Sequence, residues 1–141
     1  MATGSIQVPL GSPSGSISSF VHDNDQQPTS VLEATKPFQM HVNFSIDAVL
    51  ASILGPGPNW RVEVYADQLG GGLDALVGTA TVNHNPTQTN YTLHVQCGPL
   101  GINSPGAGQS NLYKLAVVLT YANGGPEYIT GFTEEILVRT I

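Results

Sequence analysis

A strict alternation of apolar and polar residues over positions 38–47 is the feature that most constrains this chain. In the stretch FQMHVNFSID the apolar positions are Phe38, Met40, Val42, Phe44 and Ile46, and a polar residue follows each of them. A period of two is typical of a β-strand that turns one face to a core and the other to solvent. A helix repeats every 3.6 residues and cannot keep this pattern on one face. The chain therefore contains at least one half-buried sheet.

Further stretches downstream carry the same kind of pattern. WRVEVYAD at 60–67 and YTLHVQC at 91–97 alternate, VGTATV at 77–82 is rich in β-branched residues, and LYKLAVVLTY at 112–121 is apolar on both faces. The last of these predicts a central strand. Apolar residues at helical spacing predict one short helical turn near 48–54. Without a long helix, this spacing predicts an all-β protein, an antiparallel β-sandwich of about seven strands, with Trp60 in its core.

Two of these stretches also resemble known sandwich domains. WRVEV at 60–64 resembles the third strand of immunoglobulin-like domains, in which a tryptophan anchors the core. LYKLAVVLTYANGG at 112–125 resembles the sixth strand and following hairpin of fibronectin type III and related domains, with Tyr113 at the place of a corner tyrosine. The likeness covers residues 31–141 and concerns the fold only. It departs from true immunoglobulins because the chain has a single cysteine and cannot form their disulfide.

Residues 1–30 differ in composition from the rest and predict an extended N-terminal arm in front of a domain at 31–141. The arm is rich in Gly, Ser, Pro and Asp, the composition of a loop. Two islands, SIQV and SISSFV, have the residues of a strand, and their apolar members are Ile6, Val8, Ile17, Phe20 and Val21. An extended segment of this kind can complete an exposed sheet edge. The edge could belong to its own domain or to a neighbouring copy, and the sequence leaves both open.

The small number of charges excludes several classes of partner. Charged residues make up 10% of the chain, and only four of them are basic. Four scattered cations cannot neutralise a row of phosphates, so we expect neither nucleic acid nor an anionic membrane surface as a partner. The N-terminus lacks the basic-then-apolar pattern of a cleavable signal peptide, which predicts a soluble protein and leaves its compartment open.

The glycine-rich stretch LGGGLDAL at 69–76 has two interpretations. It nearly fits the nonapeptide of calcium-binding β-helices, but those need stacked copies and this chain has one. The glycines instead predict a tight connection between two strands. Asp67 and Asp74 beside it remain weak metal candidates, and we predict that folding needs no calcium and no cofactor.

The histidines show no metal-binding spacing. The sequence places His22 and His84 in loops and puts His41 and His94 on the polar faces of two different strands. Zinc sites need three or four convergent ligands. A pair formed by His41 and His94 stays possible if their strands are neighbours. We predict ordinary surface histidines here.

No catalytic arrangement stands out, so the sequence predicts a protein that acts by contact rather than as an enzyme. Cys97 has the inward phase of its strand and predicts an inert core thiol. The leading hypothesis is a structural or assembly subunit that binds proteins, including copies of itself, through its sandwich and its arm. The alternative is a ligand-binding module, with carbohydrate as a candidate ligand and Tyr65, Tyr121 and Tyr128 as a stacking platform. An enzyme or metal protein built from loops is the third option.

Overall fold

The computed structural model describes residues 2–7, 13–23, 28–55, 57–72, 74–101, 111–121 and 129–141. Val8 and Tyr128, two of the residues singled out above, lie outside these ranges. Within these ranges, ten strands and one helix follow in chain order: β1 Ala2–Gln7, β2 Pro13–His22, β3 Val31–Leu32, β4 Phe38–Ile46, α1 Ala48–Ile53, β5 Gly57–Gln68, β6 Asp74–His84, β7 Asn90–Cys97, β8 Leu112–Tyr121, β9 Ile129–Phe132 and β10 Ile136–Thr140. The all-β class is confirmed, and so is the short helical turn, which is α1.

Eight of the strands close into a barrel. They follow one another in the order β8-β5-β6-β7-β4-β2-β1-β9, and β9 pairs back with β8. The second edge of β8 is divided, since residues 118–121 pair with β9 while residues 112–115 pair with β10. β3 extends the sheet beyond β10 and forms the one parallel ladder among the described strands. Closure of this kind removes free edges that could pair with other chains.

The barrel corrects the predicted seven-strand sandwich, and the immunoglobulin-like likeness is not supported. The prediction counted strands from residue 31 onward, whereas residues 2–7 and 13–22 form β1 and β2. β2 pairs along eight residues with β4, from Gly15–Ile46 to His22–Gln39. β1 then pairs with both β2 and β9. These strands fill the gap that a sandwich would leave open between β4 and β8.

Glycines stand at both seams where the barrel closes. At the β6–β7 seam, a Cβ on Gly78 would lie 2.7 Å from the carbonyl oxygen of Gln96 and 2.8 Å from Cys97 Sγ. At the β1–β9 seam, a Cβ on Gly4 would overlap the carbonyl oxygen of Phe132. No side chain fits at either place. The two seams therefore depend on close approach of backbones.

The alternation predicted for the core strands is confirmed. Every second residue of β4 is buried, from Phe38 to Ile46, and the same holds for β7. Trp60 is completely buried, as predicted, and its ring packs against Phe44 and Tyr121 with centroid distances of 5.3 and 4.9 Å. Its Nε1 donates a hydrogen bond of 2.9 Å to His84 Nδ1. His84 is thus a buried residue at the end of β6, which corrects its predicted loop position.

The glycine triplet is a turn, as predicted. Gly70, Gly71 and Gly72 have φ values of 82°, 96° and 107°, which favour glycine. They connect β5 to β6, and Asp67 pairs with Asp74 across the hairpin. No helix among the described residues is long and apolar enough to cross a membrane.

Candidate functional site

The outer face of β1, β2, β4 and β7 consists of uncharged polar residues and rings. Alternation sends the apolar residues of these strands inward and leaves hydroxyls, amides, imidazoles and one aromatic ring outside. The outward residues are Thr3 and Ser5 on β1, Ser16, Ser18, Phe20 and His22 on β2, Gln39, His41, Asn43 and Ser45 on β4, and Asn90, Thr92, His94 and Gln96 on β7. None of them is Asp, Glu, Lys or Arg. We call this surface the polar face.

Strand register arranges the polar face in rows across the sheet. One row contains Ser16, Ser45 and Asn90, and the next contains Ser18, Asn43 and Thr92. A third row contains Phe20, His41 and His94, and the fourth contains His22, Gln39 and Gln96. Directly opposed residues on antiparallel strands are close enough for their side chains to touch. The face therefore has a hydroxyl and amide end and a ring-bearing end.

A groove of about 200 Å³ lies at the hydroxyl and amide end. Its lining is neutral, and consists of Ser16, Ser18, Asn43, Phe44, Ser45, Asn90, Tyr91 and Thr92. Two hydrogen bonds position its side chains: Ser16 Oγ and Ser45 Oγ are 3.0 Å apart, and Thr92 Oγ1 donates to Asn43 Oδ1 at 2.7 Å. These groups are held on regular strands rather than on loops, which fixes their spacing.

Four rings meet at the other end of the polar face. Phe20 stacks on His41 with centroids 4.5 Å apart and an interplanar angle of 19°. The ring of His94 meets the ring of His41 edge-on at 4.4 Å. His22 lies 5.4 Å from His41 and 6.4 Å from His94. Three imidazoles from three neighbouring strands are therefore in mutual contact.

Two imidazole nitrogens in this group lack hydrogen-bond partners. His22 Nδ1 and His41 Nδ1 are buried without one, and so is Gln39 Oε1, which lies next to both in the register. Burial, His94 and His22 together lower the pKa of His41, while the Asn43 side chain opposes this effect. The neutral imidazole is therefore the favoured form of His41 near neutral pH.

The sequence interpretation of the histidines was wrong for His22, which belongs to β2 rather than to a loop. His41 and His94 are direct cross-strand partners, so the pair that the sequence left open does form. Each histidine has the outward phase of its strand, and that much is readable from the alternation. The register that aligns β2, β4 and β7 is set by pairing across the barrel and has no local signature.

Tyr65 and Tyr121, the two described residues of the predicted tyrosine platform, do not share a surface. Tyr65 is exposed, and its hydroxyl donates to Glu63 Oε2 at 2.8 Å. Tyr121 is 8% exposed and packs in the core against Trp60. The two rings thus lie on opposite sides of the β5–β8 sheet surface, because Tyr121 points inward and Tyr65 outward.

The predicted arm residues contribute to the core of their own domain. Ile6, Ile17 and Val21 are at most 2% exposed, and Phe20 lies half-buried on the polar face. The docking described here is the one on the same chain. Docking on a neighbouring copy stays a prediction.

The other residues singled out from the sequence are Asp67, Asp74 and Cys97. Asp67 and Asp74 are exposed, and among the described residues the one group of three possible metal ligands is His22, His41 and His94. Cys97 is buried as predicted, and desolvation raises the pKa of its thiol to about 12. A second groove, of about 220 Å³, is lined by residues that include Asp23, Glu33 and Lys36.

Comparison with known proteins identifies a fold and no family. No protein-family model and no curated protein matches this chain. Among solved structures, the C-terminal domain of Wzt superposes with a TM-score of 0.59 at 8% identity, over 100% of this chain and 76% of that one. A β-glucosidase from Listeria innocua in complex with gluconolactone and one from Erythrobacter marinus each give a TM-score of 0.50 at 10% identity. Those two superpositions include 92% and 93% of this chain but 16% of each enzyme. At these identities the likeness establishes a β-rich fold and nothing about activity.

Proposed function

We propose that this protein is a non-enzymatic carbohydrate-binding module whose binding surface is the polar face. The observation that carries the proposal is the composition of that face, where four neighbouring strands present hydrogen-bonding groups and rings but no Asp, Glu, Lys or Arg. The protein-assembly hypothesis stays a prediction, since no described contact favours it over this one.

A neutral sugar is the ligand class that such a surface suits. Each sugar hydroxyl both donates and accepts hydrogen bonds, and Ser and Thr hydroxyls and Asn and Gln amides can do the same in return. Covering a charged side chain with a neutral ligand would cost desolvation energy that the ligand could not restore. The absence of such charges from the polar face removes that cost.

The groove and the rings bind different groups of the sugar. Asn43, Ser45 and Asn90 line the groove, where a ligand can displace water and form directional hydrogen bonds. Phe20 and His94 lie one row away from Asn43 and Thr92, and flat rings suit the apolar faces of pyranose rings. A ligand of two or three sugar units would reach both ends, because rows on a strand face lie about 7 Å apart.

Binding to an array of neutral oligosaccharides, followed by calorimetry on the best ligand, tests the proposal. An Asn43→Ala, Asn90→Ala double variant removes two amides from the groove. Each hydrogen bond contributes about 0.5–1.5 kcal/mol, so we expect affinity to fall about tenfold or more. Thr81→Ala is the matched control, because Thr81 is exposed on β6 outside the polar face. Its affinity should equal that of the wild type.

Two results would contradict the proposal. One is a wild-type protein that binds no neutral glycan at millimolar concentration. The other is a double variant that folds normally and binds as well as the Thr81→Ala control, which would place the ligand elsewhere on the molecule.

A further inference from the structure

We propose that His22, His41 and His94 form a binding site for a divalent transition-metal ion of the zinc class. The proposal goes beyond glycan binding and does not depend on it, since it concerns the ring-bearing end of the polar face alone. It rests on the positions of three imidazoles and on the buried nitrogen atoms that they leave without partners.

The three side chains converge from neighbouring strands. One ligand nitrogen from each lies within 4.8 Å of the other two. In a tetrahedral zinc site with bonds of about 2.0–2.1 Å, ligand nitrogens are about 3.3 Å apart. A shift of at most about 1.5 Å between any two nitrogens would therefore close the set. Rotation of surface imidazoles about their χ angles supplies such a shift without moving the backbone.

The backbone holds the ligands firmly. His41 and His94 are direct partners in the β4–β7 ladder, and His22 pairs with Gln39, two residues from His41 on the same face. Direct and diagonal neighbours on a sheet lie about 4.5–8 Å apart, well within the combined reach of two imidazoles. A site built on strands in this way is preorganised, which lowers the entropy cost of binding an ion.

The unpartnered atoms give the second, independent argument. A buried acceptor without a hydrogen bond costs roughly 1–3 kcal/mol, and folded proteins leave few of them. Five buried side-chain atoms in the described residues have no hydrogen-bond partner, and three of them, His22 Nδ1, His41 Nδ1 and Gln39 Oε1, belong to residues that the register of β2 and β4 makes neighbours. Ring packing explains the contact between Phe20 and His41 but gives these atoms no hydrogen-bond partner. A bound cation satisfies them together.

The ligand types select the class of ion. Imidazole suits Zn²⁺, Cu²⁺ and Ni²⁺, whereas Ca²⁺ and Mg²⁺ prefer carboxylate and carbonyl oxygens. The three-residue group contains no carboxylate. Three protein ligands leave a fourth position for water or for an oxygen of a bound molecule.

Titration of the metal-free protein with Zn²⁺, in competition with a chromophoric chelator and without any glycan, tests the site. We expect one Zn²⁺ ion per chain. Replacement of a residue that only supports a ligand typically weakens metal binding 10–100-fold, so His94→Asn, which removes a ligand, should weaken it by about 100-fold or more. The control is Thr81→Ala, since Thr81 is exposed on β6, outside the polar face. It should bind as the wild type does.

A second variant and a spectroscopic readout make the test independent of any one substitution. His22→Asn changes a different strand and should weaken Zn²⁺ binding to a similar extent. Co²⁺ bound to the wild type should give the intense visible absorption of a tetrahedral site, and both histidine variants should lose it.

Melting temperatures of the metal-free variants show whether each of them folds. The proposal is overturned if the wild type fails to bind Zn²⁺ stoichiometrically, or if binding survives unchanged in folded His22→Asn and His94→Asn proteins. Neither result bears on glycan binding, which has its own variants.

Discussion

Replacing Trp60 by phenylalanine isolates one buried hydrogen bond from the packing around it. Trp60 Nε1 donates to His84 Nδ1 at 2.9 Å, and His84 Nε2 lies 2.9 Å from the carbonyl oxygen of Ala51 in α1. A carbonyl can only accept, so Nε2 carries the proton and Nδ1 is the acceptor. The indole thus ties β5 to the end of β6 and, through His84, to the helix.

The magnitude follows from these contacts. Loss of the hydrogen bond should cost about 0.5–1.5 kcal/mol, because the Tyr91 hydroxyl, 3.2 Å from His84 Nδ1, can take over part of its role. The smaller ring adds a cost for unfilled volume, so we expect Trp60→Phe to lose about 2 kcal/mol of unfolding free energy. Trp60→Ala, which also removes the ring contacts with Phe44 and Tyr121, should lose about 3–5 kcal/mol.

Urea unfolding followed by circular dichroism measures both variants on the same scale as the wild type. Tyr65→Phe is the control, because it removes only an exposed hydroxyl that donates to Glu63. Its stability should change by less than about 0.5 kcal/mol. A Trp60→Phe protein as stable as this control would refute the claim that the Trp60–His84 bond supports the fold.

Four further outcomes are expected. Native Cys97 should resist alkylation at pH 8 and react once the protein is unfolded. Between about pH 9 and 12 the thiol ionises more readily in the unfolded chain than in the folded one. The free energy of unfolding should therefore fall with rising pH more steeply in the wild type than in Cys97→Ala. Gly78→Ala should destabilise the protein by about 2 kcal/mol or more in urea unfolding, because the new methyl group would collide with the backbone of Gln96. A Cβ on Gly71 meets no atom within 4 Å, so Gly71→Ala should cost about 1 kcal/mol from its positive φ alone. Deletion of residues 1–15 removes β1 and the first three residues of β2 and should lower the melting temperature; an unchanged melting temperature would show that β1 is dispensable. Melting temperatures with excess calcium and with a chelator should agree, and a large calcium-dependent rise would contradict the turn interpretation of the glycine triplet.

The sequence predicted the elements whose stability is local and missed those that depend on pairing. Phe38 to Ile46 alternate so regularly that β4 was readable without a structure, and Trp60 had a clear inward phase. β2 also alternates, but its inward set of Ile17, Ser19 and Val21 includes a serine, and the residues between are small and polar. Such a strand looks like a loop until a partner is known, and its partner β4 lies beyond an intervening segment.

The candidate sites were missed for a related reason. A groove lined by Ser16, Asn43 and Asn90 exists only because β2, β4 and β7 are adjacent in one register, and a shift of one residue in any of these strands would turn its outward side chains inward. The burial of Tyr121 could not be predicted for a different reason. Tyr121 is the last residue of a strand that is apolar on both faces, so no alternation in the sequence indicates that its ring is buried.

The β1–β9 seam has a consequence for how the protein is made. Ile6 pairs with Gly131, which follows it by 125 residues in the sequence. The barrel can therefore close as described only after β9 has been synthesised. Until then β1 keeps an exposed edge, and contacts between residues so far apart in the sequence form slowly. Nascent chains should therefore need protection from aggregation until β9 has been made, and a product truncated before β9 would keep an open edge.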